Sequence, residues 1–414
     1  MLRVLVISHY YWPESFRINQ LVEDLIAAGA EVTVLTGHPS YPEGATYPGY
    51  DARRTAVERH AAGYDIVRVP VVPRGRGTHL RLALNYLSFV VSAICCGSWL
   101  LRRRRFDVLF VYCTTPVIQG YVGLWLKLIK RAKLVLWVQD LWPQALAATG
   151  FINSRGLLRL VGGIVKLLYR GSDLVLGQSR AFVDIIAAQA GRVPVGYLPN
   201  PGEHPQEASA VQAPTLPAKF NVVFAGNLGK AQSLESVVAA AALLRADPDI
   251  HITLLGSGSM VARISGEIEA LGLTNISLGG RLPPQAMPGV YRQASALLLT
   301  LVDNKMVGQT VPSKFQSYLG AGVPVIAAVN GEAAEIVSQS GAGISCRAQD
   351  PAALAAAIVT LKRMPAAHRA AMGDAARRFF EANYQPQELA RGLVGRLERL
   401  AFGSSVDGDD ARRQ

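Results

Sequence analysis

The sequence around Lys314 combines features that are typical of an anion-binding site. An apolar run of strand length covers residues 297–302, a polar loop follows, and Pro312 and Ser313 are signals for the start of a helix. A helix N-terminus offers unpaired N–H groups and a partial positive charge, so it attracts anions. Lys314 in this first turn does not suit the helix dipole, which indicates an external anion such as phosphate. A surface lysine on an ordinary crossover helix is the alternative.

Two glycine-bearing turns follow predicted strands in the same half of the chain. The strand 220–225 leads into GNLGKAQ, and the strand 252–255 leads into GSGS. Glycine at such positions lets a phosphate or nucleotide approach the backbone closely. Together with Lys314, these turns predict a nucleotide-diphosphate site. The residues of the two turns that we expect to contribute are Gly226, Asn227, Lys230, Gly256 and Gly258.

The first half of the chain places a carboxylate at the end of a predicted strand. The apolar residues 134–138 are followed by QDLWP, which contains Asp140. Ligands bind at the carboxyl ends of strands in open α/β sheets, so Asp140 could act as a base or hold a sugar hydroxyl. A helix cap or turn carboxylate is the alternative for this residue. The long loop 37–50, rich in Pro, Gly and Tyr, is a candidate for acceptor contacts, or else an ordinary surface loop.

The elements that would position these residues follow a repeated strand–helix pattern. Apolar residues 4–8 and 31–35 flank a helical pattern over 17–28, which predicts a parallel, doubly wound sheet. No G-x-G-x-x-G follows the first strand, which argues against a dinucleotide oxidoreductase. A chain of 414 residues predicts two domains. The expected boundaries are an N-terminal domain 1–202, a linker 203–219, a C-terminal domain 220–385, a final amphipathic helix 386–402 and a disordered tail 403–414.

The net charge indicates which partners the protein binds, and the cysteine content indicates where it is located. The net charge of +12 favours anionic partners such as nucleotides, lipid phosphates or a membrane surface. Aromatic residues are not interleaved with the basic ones, and no zinc-finger or helix-turn-helix pattern is present, so nucleic acid is not an expected partner. The four cysteines form neither a disulfide framework nor a zinc pattern, and no signal peptide precedes the first strand, which predicts a cytoplasmic location.

One helix predicts contact with a membrane. Residues 82–101 contain no charge and are long enough to span a bilayer of ~30 Å, and four consecutive arginines, Arg102, Arg103, Arg104 and Arg105, follow them. A polar stripe along the helix, and a further strand of the same sheet at 106–111, argue against a span. An interfacial helix beside an arginine cluster that contacts anionic lipid fits better. An ordinary buried helix and a spanning helix are the alternatives.

Segments along nearly the whole chain resemble a family 4 glycosyltransferase of the GT-B fold. They are VLVISHYYWPE, AAGAEVTVLTGHPSYP, WVQDLWPQ, YLPNP, VVFAGNLGKAQSLESV, LLGSGS, GGRLPPQAMPGVYRQASALLLTL and PSKFQSYLGAGVPVIA. The DLWP and GNLGKAQ forms further resemble a subgroup that adds N-acetyl-L-fucosamine in O-antigen or exopolysaccharide assembly. The resemblance implies an α/β protein with two Rossmann-like, doubly wound domains facing a cleft. It also implies a C-terminal helix that crosses back to the N-terminal domain.

The resemblance implies roles for individual residues. In the C-terminal domain, Lys230 and Lys314 would hold the donor diphosphate, and Arg281 would flank the base. The full set of expected donor-binding residues is Gly226, Asn227, Lys230, Gly256, Gly258, Arg281, Gln309, Ser313 and Lys314. In the N-terminal domain, Asp140 is the expected catalytic residue. The expected acceptor-binding residues are Arg17, Asn19, His38 and Tyr41.

Several positions depart from the usual pattern of that family. Paired glutamates eight residues apart are here Gln309 and Ser317, while Gln232 and Gln139 stand where lysine and histidine are frequent. The departures leave the donor-diphosphate features intact and alter the catalytic ones. The resemblance favours retention of anomeric configuration, with Asp140 orienting the acceptor or the sugar. Because the catalytic positions are altered, inversion with Asp140 as the base is the alternative.

These features together predict a glycosyltransferase on the cytoplasmic face of the inner membrane, attached peripherally. It would move a hexosamine or deoxyhexose from a UDP- or GDP-sugar to an undecaprenyl-diphosphate-linked sugar. Lysines and a helix N-terminus can neutralise the leaving diphosphate, so no metal or other cofactor is expected. Two alternatives remain: a nucleotide-sugar 2-epimerase of the same fold and a non-catalytic membrane scaffold for glycan assembly. The apolar helix argues against the first alternative, and Lys314 with the glycine turns argues against the second.

Overall fold

The computed structural model of the chain describes residues 1–75, 79–148, 154–202, 213–217 and 219–403. Most of the predicted linker, and the predicted tail after Gly403, lie outside the described residues. The chain divides into two compact units. The first unit comprises Met1–Pro199 and Pro386–Gln414, and the second comprises Asn200–Gln385.

The first unit is built on an eight-stranded sheet. Its strands are β1 (Arg3–Ile7), β2 (Glu31–Thr36), β3 (Ala56–Arg59), β4 (Asp65–Arg68), β5 (Val108–Cys113), β6 (Lys133–Val138), β7 (Leu174–Gly177) and β8 (Val195–Tyr197). They lie in the order β3-β4-β2-β1-β5-β6-β7-β8, and every neighbouring pair is parallel except β3 and β4. The central strands are buried on both faces, which explains why they are continuous apolar runs in the sequence.

Helices cover both faces of this sheet. They are α1 (Arg17–Ala27), α2 (His79–Ser92), a π-helical segment (Ala93–Gly97), α3 (Ser98–Leu100), α4 (Gly120–Lys130), α5 (Gln144–Ala148), α6 (Arg155–Gly171) and α7 (Arg180–Ala190). The inward residues of α2, α4 and α6 join one hydrophobic cluster on one side of the sheet. Those of α1 join a second cluster on the other side.

The second unit is built on a six-stranded parallel sheet. Its strands are β9 (Phe220–Ala225), β10 (Ile250–Leu255), β11 (Ile276–Gly280), β12 (Ala296–Thr300), β13 (Val325–Ala328) and β14 (Gly343–Cys346), in the order β11-β10-β9-β12-β13-β14. Its helices are α8 (Leu234–Leu243), α9 (Val261–Ala270), α10 (Met287–Gln293), α11 (Lys305–Gly308), α12 (Ser313–Ala321), α13 (Glu332–Ser340), α14 (Pro351–Arg363) and α15 (Ala366–Asn383). The predicted fold class of two Rossmann-like α/β domains is confirmed.

The final helix α16 (Pro386–Phe402) belongs to the first unit rather than the second. It packs against α1, and its residues Leu393 and Leu397 join the cluster that also contains Val22 and Leu25 of α1. The amphipathic pattern of this segment is therefore explained by burial against the opposite end of the chain.

The long apolar segment forms α2, the π-helical turn and α3, which together bridge two strands of one sheet. Residues Leu80–Leu100 are long and apolar enough to cross a membrane by length and composition alone. However, β4 precedes this segment and β5 follows it, and both strands lie in the same sheet. A single crossing would separate them, so the segment does not span a bilayer in this fold. Phe89, Ala93 and Leu101 are buried against the sheet.

Candidate functional site

Lys314 lies at the carboxyl edge of the second sheet because α12 is fixed to the end of β9. The hydroxyl of Tyr318 accepts a hydrogen bond from the Ala225 N–H at 2.8 Å and donates one to the Ala225 carbonyl at 3.0 Å. Lys314 precedes Tyr318 by one helical turn, so its side chain lies on the same face of α12. Its Nζ is 3.8 Å from the centroid of the Phe224 ring and donates to Gln232 Oε1 at 2.5 Å.

The charge of Lys314 is poorly solvated. The residue keeps partial exposure, but its ammonium group is enclosed by protein, and this desolvation lowers its pKa to about 7. Among the described residues no carboxylate lies within 4 Å of it. An enclosed ammonium without a carboxylate partner binds an anion favourably, since the anion supplies the missing countercharge.

The two glycine-bearing turns pack directly on each other beside Lys314. Gly226 and Gly256 follow β9 and β10 with φ of +148° and +139°, which L side chains rarely adopt. A Cβ on Gly256 would lie 1.8 Å from the Gly226 carbonyl oxygen, and one on Gly226 would lie 3.3 Å from Lys314 Nζ. The absence of side chains at these two glycines thus lets the two turns and Lys314 approach one another closely.

The structure brings the other expected donor-binding residues to this same edge. Neighbouring strands β11, β10, β9 and β12 all end there, and each of these residues follows one of them. Asn227, Lys230 and Arg281 are exposed, Ser313 is the exposed first residue of α12, Gln309 follows α11, and Gly258 follows Gly256. Lys314 contacts Gln232 rather than Lys230, although both lie in one short 3-10 turn.

Ser317, which stands at the second glutamate position of the family, also lies on α12. Its hydroxyl is buried and has no hydrogen-bond partner among the described residues. An unpaired buried hydroxyl is costly, and a bound ligand would satisfy it. Ser317 was not among the expected donor-binding residues.

In the first unit, Asp140 is anchored to the loop after β5. Its Oδ2 accepts hydrogen bonds from the Thr115 N–H at 2.9 Å and from the Thr115 hydroxyl at 3.0 Å. The indole Nε1 of Trp142 donates to the same hydroxyl at 3.2 Å. Both loops follow adjacent strands, so this network joins the carboxyl ends of β5 and β6. The half-buried carboxylate is held in one orientation, which suits a residue that positions a substrate.

The loop after β2 is organised by Glu14, which the sequence did not single out. Its buried carboxylate accepts from the Ser40 and Tyr41 N–H groups at 2.7 Å each and from the Tyr11 N–H at 3.2 Å. Burial raises the pKa of Glu14, while these three hydrogen bonds oppose that shift. Glu14 therefore fixes the loop that contains Tyr41 against the loop after β1.

The remaining expected acceptor-binding residues occupy different environments. Asn19, near the start of α1, donates from Nδ2 to the Glu14 carbonyl at 2.6 Å, and Arg17 is the first residue of that helix. His38 is buried, and its Nε2 is 2.8 Å from the Arg54 carbonyl oxygen. Burial lowers the pKa of His38, which favours the neutral form of the ring. Of the four, Tyr41 is the residue most exposed at this edge.

A cation–aromatic cluster surrounds Tyr41, and sequence reasoning missed its members. The guanidinium of Arg74 lies 5.1 Å from the centroid of the Tyr41 ring, and the Tyr10 ring lies 5.8 Å from it. Tyr86 of α2 interacts with both Tyr10 and Arg74, and the charge of Asp140 is close enough to raise its pKa further beyond the effect of burial. Arg74, Tyr86 and Asp140 thus lie around one region of the first unit.

The arginine cluster lies at the opposite, amino edge of the first sheet. Arg104 is engaged within the unit, since it forms an ion pair with Asp65 at 2.8 Å. Arg102, Arg103 and Arg105 are exposed, and the Arg102 guanidinium lies 4.2 Å from the Trp99 ring centroid. Three of the four expected membrane-contacting arginines therefore present their side chains to solvent.

Comparison with known proteins finds glycosyl transferase domains in both halves of the chain. The family described as glycosyl transferases group 1 matches residues 207–379, and the glycosyl transferase 4-like domain matches residues 15–201. Each half of this chain therefore matches a glycosyl transferase domain. WcaI of Escherichia coli (strain K12), named as a glycosyl transferase of colanic acid biosynthesis, is 28% identical over 342 residues, which cover 78% of this chain and 82% of WcaI.

Solved structures share the fold of this glycosyltransferase over almost its whole length. Sucrose-phosphate synthase from Thermosynechococcus elongatus aligns with a TM-score of 0.74 at 18% identity, covering 98% of this chain and 100% of that one. HepE from Anabaena, solved in complex with UDP and glucose, aligns with a TM-score of 0.67 at 15% identity, covering 96% and 100%. At such identities the similarity establishes the GT-B fold.

Proposed function

We propose that this glycosyltransferase moves a sugar from a UDP- or GDP-sugar to a lipid-linked glycan acceptor. The observation that supports the donor most directly is Lys314. Its enclosed ammonium has no carboxylate partner among the described residues, and it faces two glycine turns and a helix N-terminus at one strand edge. The positive charge and the free N–H groups of this arrangement support a diphosphate as the ligand.

The proposed reaction proceeds with retention of anomeric configuration. The bond between the anomeric carbon and the diphosphate oxygen breaks, and the acceptor hydroxyl oxygen bonds to that carbon on the same face. The leaving diphosphate accepts the acceptor proton, while Lys314 and the N–H groups of α12 stabilise its negative charge. Asp140, held by Thr115, orients the acceptor or the sugar. This role agrees with its fixed geometry, since both hydrogen bonds to its Oδ2 come from within the unit.

The proposed acceptor is an undecaprenyl-diphosphate-linked sugar at the cytoplasmic face of the inner membrane. The exposed arginines after α3, and the apolar surface of the helix before them, support peripheral attachment. The proposed sugars are hexosamines and deoxyhexoses, with N-acetyl-L-fucosamine as the first to test and O-antigen or exopolysaccharide assembly as the pathway class. The name of WcaI, which refers to colanic acid, supports polysaccharide assembly in general.

A panel assay tests this proposal. The purified chain is incubated with UDP- and GDP-sugars, with and without an undecaprenyl-diphosphate sugar, in the presence of EDTA. We expect at least one donor to be consumed only when the acceptor is present, and NMR of the product to show the donor's anomeric configuration. Lys314→Ala is the matched variant, and it should weaken binding of donor diphosphate about ten- to a hundredfold while sparing the free nucleoside.

Other outcomes would overturn parts of the proposal. Donor consumption without acceptor, with release of an epimer, would establish a 2-epimerase instead. Nucleotide binding without turnover across the panel would favour a non-catalytic scaffold. Activity that EDTA abolishes and Mg²⁺ restores would contradict the metal-independent mechanism. Equal loss of diphosphate and nucleoside binding in Lys314→Ala would show that the lysine is structural.

A further inference from the structure

We propose that the outer surfaces of α2 with α3, of α4 and of α6 form one continuous membrane-docking face, which inserts into the interfacial layer of an anionic bilayer. We call this surface the three-helix face. The inference deepens the proposed function and rests on it, because a lipid-linked acceptor is reached from the membrane surface. It extends the contact beyond the single apolar helix and its arginines to two further helices.

The three helices lie side by side on one side of the first sheet. They connect β4 to β5, β5 to β6 and β6 to β7, and their inner residues share one hydrophobic cluster. Hydrogen bonds join neighbours directly: Trp125 Nε1 of α4 donates to Ser98 Oγ of α3 at 3.1 Å, and the Tyr121 hydroxyl of α4 donates to the Ile164 carbonyl of α6 at 2.8 Å. Their outer surfaces are therefore adjacent.

Large apolar side chains are concentrated on this surface. Of the nineteen exposed large hydrophobic residues in the described part of the chain, eleven belong to these three helices. Single exposed apolar residues are normal, but a concentration of this kind marks an interaction site. The residues are Leu80, Leu84, Leu87, Val91, Trp99, Trp125, Leu128, Ile129, Leu157, Leu160 and Leu167.

The charge of the surrounding sequence selects an anionic bilayer as the occupant. Residues 66–172 contain sixteen lysines and arginines but only two acids, Asp107 and Asp140. This segment's formal charge of +14 exceeds the +12 of the whole chain, so the rest of the chain is slightly acidic. Neither acid lies on the three helices: Asp107 pairs with Arg3 and Asp140 with Thr115. Three of the basic residues pair with acids outside the segment, namely Arg68 with Glu58, Arg104 with Asp65 and Lys127 with Asp173. The remaining excess of positive charge attracts anionic headgroups.

The arrangement of aromatic and basic groups suits the boundary between headgroups and acyl chains. Trp99 and Trp125 are both exposed, and the Trp125 indole donates to the hydroxyl of Ser98, the residue before Trp99. The Arg102 guanidinium lies over the Trp99 ring. Tryptophan favours this boundary, and long basic side chains extend from it into the headgroup layer. A cavity of about 460 Å³ at the amino edge of the sheet is lined by Arg103 and Arg105, by the ion-paired Arg3 and Arg104, and by Glu31, Thr33 and Phe106. The first two arginines offer contacts to a phosphate headgroup.

Vesicle binding by matched leucine variants of the whole chain tests the three-helix face. Leu128 in α4 and Leu167 in α6 are 73% and 65% exposed, while Leu243 and Leu271 in the second unit are 61% and 52% exposed. We expect Leu128→Ser/Leu167→Ser to reduce partition onto vesicles enriched in phosphatidylglycerol by about tenfold or more. Leu243→Ser/Leu271→Ser should bind as the wild type does, and pure phosphatidylcholine vesicles should bind all variants weakly.

Tryptophan fluorescence gives an independent measurement. Adding phosphatidylglycerol vesicles should shift the emission to shorter wavelength, and Trp99→Phe/Trp125→Phe should abolish the shift. Trp12→Phe is the control, because Trp12 is 40% exposed but lies in the loop after β1, outside the face. UDP binding without lipid is measured in every variant, so a failure of the donor site is distinguished from a failure of the membrane face.

Several results would overturn the inference. If Leu128→Ser/Leu167→Ser binds vesicles like the wild type while Leu87→Ser does not, the contact is confined to α2. If the wild type forms a concentration-dependent dimer that the same substitutions disrupt, without any vesicle binding, the face joins two copies of the chain. If vesicle binding by the chain does not depend on the phosphatidylglycerol content, the proposed attraction between basic residues and anionic lipid is wrong.

Discussion

The pKa of Lys314 is lowered by enclosure in the protein rather than by a neighbouring charge. The desolvation that lowers its pKa to about 7 is relieved when an anion binds, so donor binding and protonation of the lysine favour each other. In the ligand-free protein the lysine is charged below about pH 7 and loses its proton above it. A bound diphosphate raises the pKa of Lys314. The contribution of the protonated lysine to diphosphate binding is therefore complete below about pH 7 and declines as the pH rises further.

We therefore predict that the affinity for UDP decreases as the pH increases from about 6.5 to about 9, by up to about tenfold per unit. Lys314→Arg should flatten this dependence, because a guanidinium stays protonated throughout. Calorimetry in buffers of different ionisation enthalpy should show proton uptake near pH 8 in the wild type alone. An identical slope in Lys314→Arg would assign the titration to another group or to the phosphate.

Asp140 supports a second prediction about a single residue. Asp140→Asn keeps an oxygen that can accept from Thr115, so we expect the rate to fall by on the order of tenfold, mainly through weaker use of acceptor. Thr115→Val, which removes the hydroxyl that both Asp140 and Trp142 contact, should have a similar kinetic effect. An inverted product together with a loss near a thousandfold in Asp140→Asn would make Asp140 the general base.

The turns after β9 and β10 pack so closely that one added methyl group should disturb donor binding. We predict that Gly256→Ala disrupts donor binding and destabilises the second unit, because its Cβ would overlap the Gly226 carbonyl at a φ of +139°. Gly266→Ala in α9 is the matched control, since nothing lies within 4 Å of its Cβ position. It should leave donor affinity unchanged and raise the free energy of unfolding by up to about 1 kcal/mol. Normal UDP binding by Gly256→Ala would contradict this account.

The sequence predicted the buried parallel strands because their apolar runs reflect burial on both faces. It did not predict the antiparallel pair β3 and β4. The exposed and half-buried residues of β3 alternate, and β4 ends in Arg68, a fully buried charge. Arg68 donates to Glu58 at 2.6 Å and to the Gly37 and Trp12 carbonyls at 2.9 and 2.7 Å. These three hydrogen-bond partners of Arg68 are distant from it in the chain, so no local sequence pattern predicts the contacts.

The same limit explains which parts of the site were missed. Strand ends and glycine turns have local sequence patterns, and these patterns were enough to place the residues expected to bind the donor at one edge. Contacts such as Lys314 with Gln232, 82 residues away, depend on which strands become neighbours. The Arg74 cluster likewise depends on a loop that returns to the edge of β1. Such contacts require the topology before they can be inferred.

At the level of the entire chain, the first unit depends on a helix that follows the second unit in the sequence. Leu397 of α16 is fully buried in the cluster shared with α1, whereas Phe402 on the same helix is 57% exposed. We predict that Leu397→Ala lowers the free energy of unfolding of the first unit by about 2–5 kcal/mol, while Phe402→Ala has little effect. Denaturant unfolding followed by hydrogen exchange would assign the loss to a unit. Equal effects of the two substitutions would contradict the packing described.

The second unit is an insertion in the first, and its two chain ends meet. The Gly202 N–H donates to the Tyr384 carbonyl at 2.9 Å, so the entry and exit segments are hydrogen-bonded neighbours. An inserted module with adjacent ends can be excised or exchanged without reconnecting distant points of the host. We therefore predict that replacing residues 200–385 by the equivalent module of another glycosyltransferase of this fold transfers nucleotide-sugar preference to a host whose first unit, with its three-helix face, is unchanged.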